Sequence, residues 1–186
     1  MLQEIKNSLE TLQQHKVLLY PTDTVWGIGC DATSESAVDK IYKIKQRSES
    51  KSLIILVDSI KMLQQYVPVV SDKIIELLAK SSNPTTIIYS NPKGLAKNVV
   101  AADNTVAIRI VQNKFCQELI GQFGKPIVST SANVSGNATP KSFKEIEQSI
   151  LHSVDYSVNL QREVINEKSS TILKEAENGD IIVLRA

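Results

Sequence analysis

The segment 104–111 (NTVAIRIV) constrains the fold more than any other part of the chain. Alternate residues of an extended strand point to opposite faces, and here both faces are apolar except for one arginine. Val106, Ile108 and Ile110 share one face, and Arg109 lies between Ala107 and Val111 on the other. This pattern predicts a central strand. A buried Arg109 would need an anionic partner, either a protein carboxylate or the carboxylate of a ligand.

Short apolar strands and amphipathic helices alternate irregularly along the rest of the chain. This order predicts an α/β or α+β fold with one mixed sheet, as a single domain over residues 1–186. Among the helices, Asp58 is expected to cap a short one, Ser71 to cap the next, and the capping box at 142–145 to start another. A strand is expected at 155–160, and a terminal strand pair with its turn at 178–179.

Composition excludes several classes of protein. The 21 Lys and Arg nearly balance the 20 Asp and Glu, so the net charge of +1 does not indicate nucleic-acid or membrane binding. No signal peptide and no stretch of membrane-spanning length is apparent. The two cysteines, Cys30 and Cys116, and the two histidines are far apart in sequence, which argues against a structural metal site. We therefore expect an intracellular, cytoplasmic protein in reduced form.

Polar residues follow the predicted strand at 17–20. Pro21 ends that strand, and a Thr-Asp-Thr corner with hydroxyls at Thr22 and Thr24 precedes Trp26 and two glycines. These residues suit the rim of a ligand pocket, with Trp26 as a flat wall. The alternative is a turn in which Trp26 anchors the core.

A cationic run connects a predicted helix to the strand at 53–57. Lys40, Lys43, Lys45, Arg47 and Lys51 lie within twelve residues. Such a run is usually a solvated face. Its place at the end of an element also suits a polyphosphate, because ligands of α/β proteins collect there.

The segment 124–140 (GKPIVSTSANVSGNATP) is a short buried strand that runs into a loop of hydroxyls and amides. Ser129, Ser131 and Asn133 could expose donors to an anion. The alternative is an ordinary turn whose side chains bond to their own backbone.

Taken together, PTDTVWGIGCDA at 21–32, KQRSESK at 45–51 and STSANVSG at 129–136 resemble the YrdC/Sua5 family of threonylcarbamoyl-AMP synthases. TVAIR at 105–109 and the closing VLR support the resemblance, which extends in order from about Tyr20 to Arg185. It implies a twisted mixed β-sheet with flanking helices around a basic cleft. It also implies a nucleotidyltransferase that joins L-threonine, bicarbonate and ATP into threonylcarbamoyl-AMP and pyrophosphate. Downstream t6A-transfer enzymes would then modify adenosine 37 of tRNA.

The resemblance assigns roles residue by residue. Lys45, Arg47 and Lys51 would hold the triphosphate as the catalytic cations, and Mg²⁺ would be bound mainly through the ATP phosphates. Arg109 would pair with the threonine carboxylate. Thr22, Ser131 and Ser170 would surround threonine and its carbamate. The nucleotide would contact Thr105, Ser129, Asn133, Lys141 and Arg185.

Some positions depart from the family pattern. Ser48 and Lys141 replace a common Pro and Thr, and Ser82-Asn83-Pro84 replaces a usual Pro-Gly-Pro, so loop shape differs. The chain resembles the short YrdC form. Two other functions fit the same resemblance: a non-catalytic module that binds RNA, tRNA or nucleotide, and a carbamoyl-transfer domain like those of hydrogenase-maturation proteins.

Overall fold

The computed structural model describes residues 1–47, 53–176 and 178–186. Within those ranges the helices are α1 Leu2–Gln13, α2 Glu35–Lys45, α3 Ile60–Tyr66, α4 Asp72–Lys80, α5 Lys114–Phe123 and α6 Gln148–Ser153. The strands are β1 Leu18–Tyr20, β2 Gly27–Gly29, β3 Ile54–Val57, β4 Thr85–Ser90, β5 Thr105–Ile110, β6 Ile127–Ser131, β7 Tyr156–Ser157, β8 Thr171–Glu175 and β9 Ile181–Arg185. Short 3₁₀ turns cover Lys97–Val99 and Phe143–Glu145.

The described strands form one mixed sheet in the order β7-β1-β2-β6-β3-β5-β4-β8-β9. Strand β5 lies between β3, to which it is parallel, and β4, to which it is antiparallel. The prediction of a central strand is therefore confirmed, as is the α/β fold with a mixed sheet and flanking helices. The apolar residues of β1, β3, β5 and β6 are buried against the helices in one continuous core.

Serine and asparagine side chains begin several of the helices. Ser34 and Ser71 each accept a hydrogen bond from the backbone N–H three residues later, as N-cap residues do. The expected cap at Asp58 is wrong, because Ser59 occupies that position and accepts from the Met62 N–H. The Asp58 carboxylate instead accepts a hydrogen bond from the Ser59 hydroxyl, at 2.6 Å.

Two further sequence predictions need correction. The expected helix start at 142–145 is a 3₁₀ turn, and α6 begins only at Gln148. The Glu145 carboxylate accepts from Lys141 N–H and the Ser142 hydroxyl, so the reciprocal bonds of a capping box are not made. The strand expected at 155–160 covers only Tyr156–Ser157. The chain then turns away, and the Asn159 N–H donates to Glu4 instead.

The terminal strand pair is confirmed. Strands β8 and β9 are antiparallel, and β8 extends the sheet by pairing with β4. Gly179 has a φ of +81°, a left-handed conformation that glycine adopts without strain. The pairing skips Leu184, because Ile172 faces Arg185 whereas Leu173 faces Val183. This β-bulge places Arg185 on the same side of the sheet as Ile172.

Close packing at β2 generates a stability prediction. A Cβ atom on Gly29 would lie 2.2 Å from the Val128 carbonyl oxygen and 2.7 Å from the Tyr20 ring. That oxygen is also the acceptor for the Tyr20 hydroxyl, so neither neighbour can move freely. We expect Gly29→Ala to lower the free energy of unfolding by about 2–4 kcal/mol in urea titration.

The matched control is Gly121→Ala. Gly121 lies in α5, and its added Cβ would meet only the Asp58 carboxylate, at 3.2 Å. Alanine is the better helix former, so the change in unfolding free energy should stay within about 1 kcal/mol. Equal unfolding midpoints for the two variants would contradict the packing argument.

Candidate active site

A cavity of about 330 Å³ opens on the sheet between β2 and β9. Arginines 47, 109 and 185 line it together with seven hydroxyl-bearing residues, which are Thr24, Ser129, Thr130, Ser131, Thr139, Ser169 and Ser170. Its apolar wall is formed by Val25, Trp26, Leu53, Ile54, Ile88, Ala107 and Ile172. No aspartate or glutamate is among the described residues of the lining. This combination is suited to an anionic ligand that also carries a flat or apolar part.

Arg109 projects from the centre of the sheet with only 3% of its side chain exposed. Its Nη2 lies 3.0 Å from Asp23 Oδ1 and donates to the Thr24 hydroxyl at 3.3 Å. The question left open by the sequence is thus answered in part, since a protein carboxylate does pair with Arg109. Its Nε, however, is buried without a hydrogen-bond partner among the described residues. One donor of Arg109 is therefore left unsatisfied by the described residues.

The Thr-Asp-Thr corner supports this arginine. The buried Thr22 hydroxyl donates to the Val25 carbonyl at 2.7 Å and accepts from the Thr24 N–H at 3.0 Å. It also lies 3.0 Å from the Thr24 hydroxyl. Thr22 does not line the cavity, so its observed contacts shape the corner. Its predicted contact with threonine stays a prediction.

Arg185 enters the cavity from the last strand. Its Nη2 donates to the Ser170 carbonyl at 2.8 Å and to the Ser170 hydroxyl at 3.2 Å, and its Nε donates to the same carbonyl at 3.1 Å. Ser170 is held in turn by Thr86, hydroxyl to hydroxyl, at 2.8 Å. Burial and the nearby positive charge of Arg109 both lower the pKa of Arg185. An anion between the two guanidinium groups would relieve this repulsion.

Lys45 lies beneath the loop that follows β6. Its ammonium group is buried and donates to the Ser131 carbonyl at 2.6 Å and the Asn133 carbonyl at 2.7 Å. The Lys45 carbonyl accepts from the Ser135 N–H at 2.9 Å. Burial, and next the charge of Arg47, lower the pKa of Lys45 to about 8. In this arrangement Lys45 holds the loop and does not line the cavity.

Arg47 follows immediately after α2. Gln46 has a left-handed φ of 48°, which ends the helix and directs the chain toward the cavity. Arg47 lines the cavity, and partial burial lowers its pKa. Lys51, the third cation of the predicted set, lies outside the described residues.

The remaining predicted site residues fall into two groups. Ser129 and Ser131 line the cavity. Asn133, Thr105 and Lys141 do not. The Asn133 amide donates to the Asn137 carbonyl at 2.8 Å, the Thr105 hydroxyl to Asp103 at 2.7 Å, and the Lys141 ammonium to Glu167 at 3.0 Å. Their nucleotide contacts stay predictions.

Sequence reasoning did not single out Thr130, Thr139 and Ser169, which line the cavity, and it missed the role of Asp23. Asp23 was noted only as part of a polar corner, yet it is the counter-ion of Arg109. The signal was present, because a strand arginine between apolar neighbours requires an acid or a ligand. Sequence spacing could not indicate which of the chain's 20 acidic residues would meet it.

Metal-ligating residues do not gather in the part of the chain that the structure describes, where no group of three or more His, Cys, Asp or Glu could hold an ion. Cys30 and Cys116 are buried as free thiols, and burial raises the pKa of each far above its ordinary value. None of the described helices is both long and apolar enough to cross a bilayer.

The fold and the cavity can now be compared with known proteins. Residues 10–186 match the Sua5/YciO/YrdC family model, described as telomere recombination. The chain belongs to this family. A threonylcarbamoyl-AMP synthase of Pseudoalteromonas translucida is 34% identical over 182 residues, which are 95% of each chain. Family membership therefore extends over nearly the whole length.

Solved structures of the family share the fold. E. coli YciO superposes with a TM-score of 0.86 at 21% identity, over 100% of this chain and 89% of that one. P. abyssi Sua5 complexed with L-threonine superposes with a TM-score of 0.84 at 22% identity, over 97% of this chain and 53% of that one. The nine-strand sheet and its helices are thus the family architecture.

The contacts of Lys45 generate a prediction. Lys45→Met would leave the carbonyls of Ser131 and Asn133 without their buried donor. We expect the free energy of unfolding to fall by about 2–4 kcal/mol. Urea titration followed by circular dichroism measures the loss.

Lys43→Met is the control, because Lys43 is exposed two residues earlier on the same helix. That variant should stay within about 0.5 kcal/mol of the original chain. If Lys45→Met has the same free energy of unfolding as the unsubstituted protein, the hydrogen bonds of Lys45 do not stabilise the loop.

Proposed function

We propose that this protein makes threonylcarbamoyl-AMP and pyrophosphate from L-threonine, bicarbonate and ATP. The observation that carries the proposal is a cavity lined by three arginines, with a donor of the buried Arg109 left unpaired. The relatives that bear the name threonylcarbamoyl-AMP synthase support it. So does the similarity to a Sua5 structure complexed with L-threonine.

Each ligand has suitable partners in the cavity. The Arg109 guanidinium would donate to the threonine carboxylate, while its Nη2 stays in contact with Asp23 and Thr24. Arg185 and Arg47 would neutralise the phosphates, with Lys51 as a further cation. The ring of Trp26 and the apolar wall would contact the uncharged parts of the ligands.

The reaction begins when the threonine amine adds to bicarbonate, which gives a carbamate and water. A carbamate oxygen then attacks the α-phosphorus of ATP, and the bond to pyrophosphate breaks. Negative charge on the phosphates is the main obstacle, so positioning and fixed cations would supply most of the catalysis. Ser129 and Ser131 add hydroxyl-bearing side chains to the lining of the same cavity. The scheme requires no covalent nucleophile.

Mg²⁺ enters this proposal as part of the substrate. The cavity lining offers no carboxylate among the described residues, and hard cations prefer several oxygen ligands. MgATP would bring its own phosphate and water ligands. The chain's contribution would be the arginines on the outer phosphate oxygens.

The product would serve tRNA modification through separate transfer enzymes. A module that binds RNA without catalysis is the alternative reading of the same fold. Arg109 favours the small-molecule reading, because a guanidinium that is 3% exposed is poorly placed for an RNA backbone. A buried, paired arginine suits a compact carboxylate better.

Pyrophosphate release tests the proposal. Purified protein with MgATP should release pyrophosphate only when L-threonine and bicarbonate are both present, and serine should be a weaker substrate. Colorimetric detection after pyrophosphatase treatment measures the rate. Bound ATP with no release under any combination would replace the synthase with a binding module.

Arg109→Lys tests the threonine contact. Lysine keeps a positive charge beside Asp23 but loses the planar set of donors. We expect the KM for threonine to rise by about tenfold or more, with the Kd for ATP within about twofold. A variant with unchanged threonine KM would remove Arg109 from the threonine site.

A further inference from the structure

We propose that Asp23 determines where the threonine carboxylate and the polyphosphate of ATP bind within the cavity. It offsets part of the charge of Arg109, so that this arginine accepts a single carboxylate and the polyphosphate is left to the end of the cavity that carries Arg185. The inference deepens the proposed function and rests on it. Asp23 would act through Arg109 and is a specificity-determining residue.

The side chains of Asp23 and Arg109 are in close contact and are buried from solvent. Arg109 Nη2 and Asp23 Oδ1 are 3.0 Å apart, and the side chains are 3% and 8% exposed. Attraction between opposite charges is strong when water is excluded. Asp23 therefore offsets part of the charge that Arg109 presents to the cavity it lines.

The chain fixes the carboxylate in this place. Asp23 Oδ2 accepts from the Gln112 N–H at 3.1 Å, and Gln112 lies two residues beyond the end of β5, the strand that carries Arg109. Thr24 accepts from Arg109 as well. The acid is thus held to the arginine's own strand, and ligand binding need not displace it.

Arg185 has the opposite surroundings. Among the described residues, its donors meet only the carbonyl and the hydroxyl of Ser170. It forms no ion pair with a carboxylate in the part of the chain that the structure describes. Because none of the described carboxylates pairs with Arg185, a multiply charged phosphate gains more there than at Arg109, whose charge Asp23 partly offsets.

The two arginines are near enough for the charge of Arg109 to lower the pKa of Arg185. Without the acid, both guanidinium groups would attract polyphosphate, and it would compete with threonine for Arg109. Discrimination of this kind needs an unfavourable element against the wrong ligand, which Asp23 supplies as a negative charge.

The experiment measures threonine binding by isothermal titration calorimetry, with inorganic pyrophosphate as the competing probe and sodium chloride at equal ionic strength as the control. In the original chain, pyrophosphate should leave the Kd for threonine within about twofold. In Asp23→Asn, pyrophosphate at the same concentration should raise the Kd for threonine by about tenfold or more. Asparagine keeps an oxygen for the Gln112 N–H but removes the charge.

Asp23→Glu is the second variant, since it retains the charge and should stay insensitive to pyrophosphate. If Asp23→Asn fails to fold, competition by pyrophosphate in the unsubstituted protein or in Asp23→Glu still overturns the proposal. Competition by pyrophosphate in the original chain would overturn the proposal. So would an Asp23→Asn variant that folds and is as insensitive as the original.

Failure of this inference can be distinguished from failure of the proposed function. Threonine- and bicarbonate-dependent pyrophosphate release by the original chain, together with pyrophosphate-insensitive threonine binding in Asp23→Asn, would remove only the role of Asp23. Absence of both threonine binding and pyrophosphate release in the original chain would remove the synthase proposal itself.

Discussion

The buried ion pair between Arg109 and Asp23 is the interaction on which the site depends. It joins the central strand β5 to the corner after β1 and carries a positive charge into the middle of the sheet. Removing one member alone would leave an uncompensated buried charge, at a cost of about 3–5 kcal/mol. The same ion pair therefore contributes both to the stability of the fold and to ligand recognition.

Lys45 performs a comparable task on the other side of the cavity. Lys45 has the charge expected of a phosphate ligand. Its ammonium group, however, donates hydrogen bonds to two backbone carbonyls at the end of β6 and in the loop that follows. The hydroxyls of Ser129 and Ser131 line the cavity on this supported segment. A cation can thus serve an anion site by fixing the backbone that presents other donors.

Local sequence patterns were a good guide to β5, the helix cap at Ser71 and the terminal strand pair, because those features depend on local burial and backbone geometry. They failed at 142–145, where Glu145 bonds Lys141 and Ser142 in a tight turn, and at 155–160, where Glu4 captures the Asn159 N–H. The second failure arises from a partner distant in the chain, which local sequence rules do not take into account. The same reason hid Asp23 as the partner of Arg109, 86 positions away in the chain.

The sequence by itself determined the fold class and the family, and it supplied candidate residues for a ligand site, because strand alternation and ordered motifs are local properties. Only the tertiary structure decided which cations face that cavity. Arg47, Arg109 and Arg185 line it, and Lys45 turns beneath the loop instead. The bulge at Leu184 shows why the sequence did not settle the direction of Arg185. One extra residue in a strand reverses the face of everything after it, and only the paired sheet reveals where that residue falls.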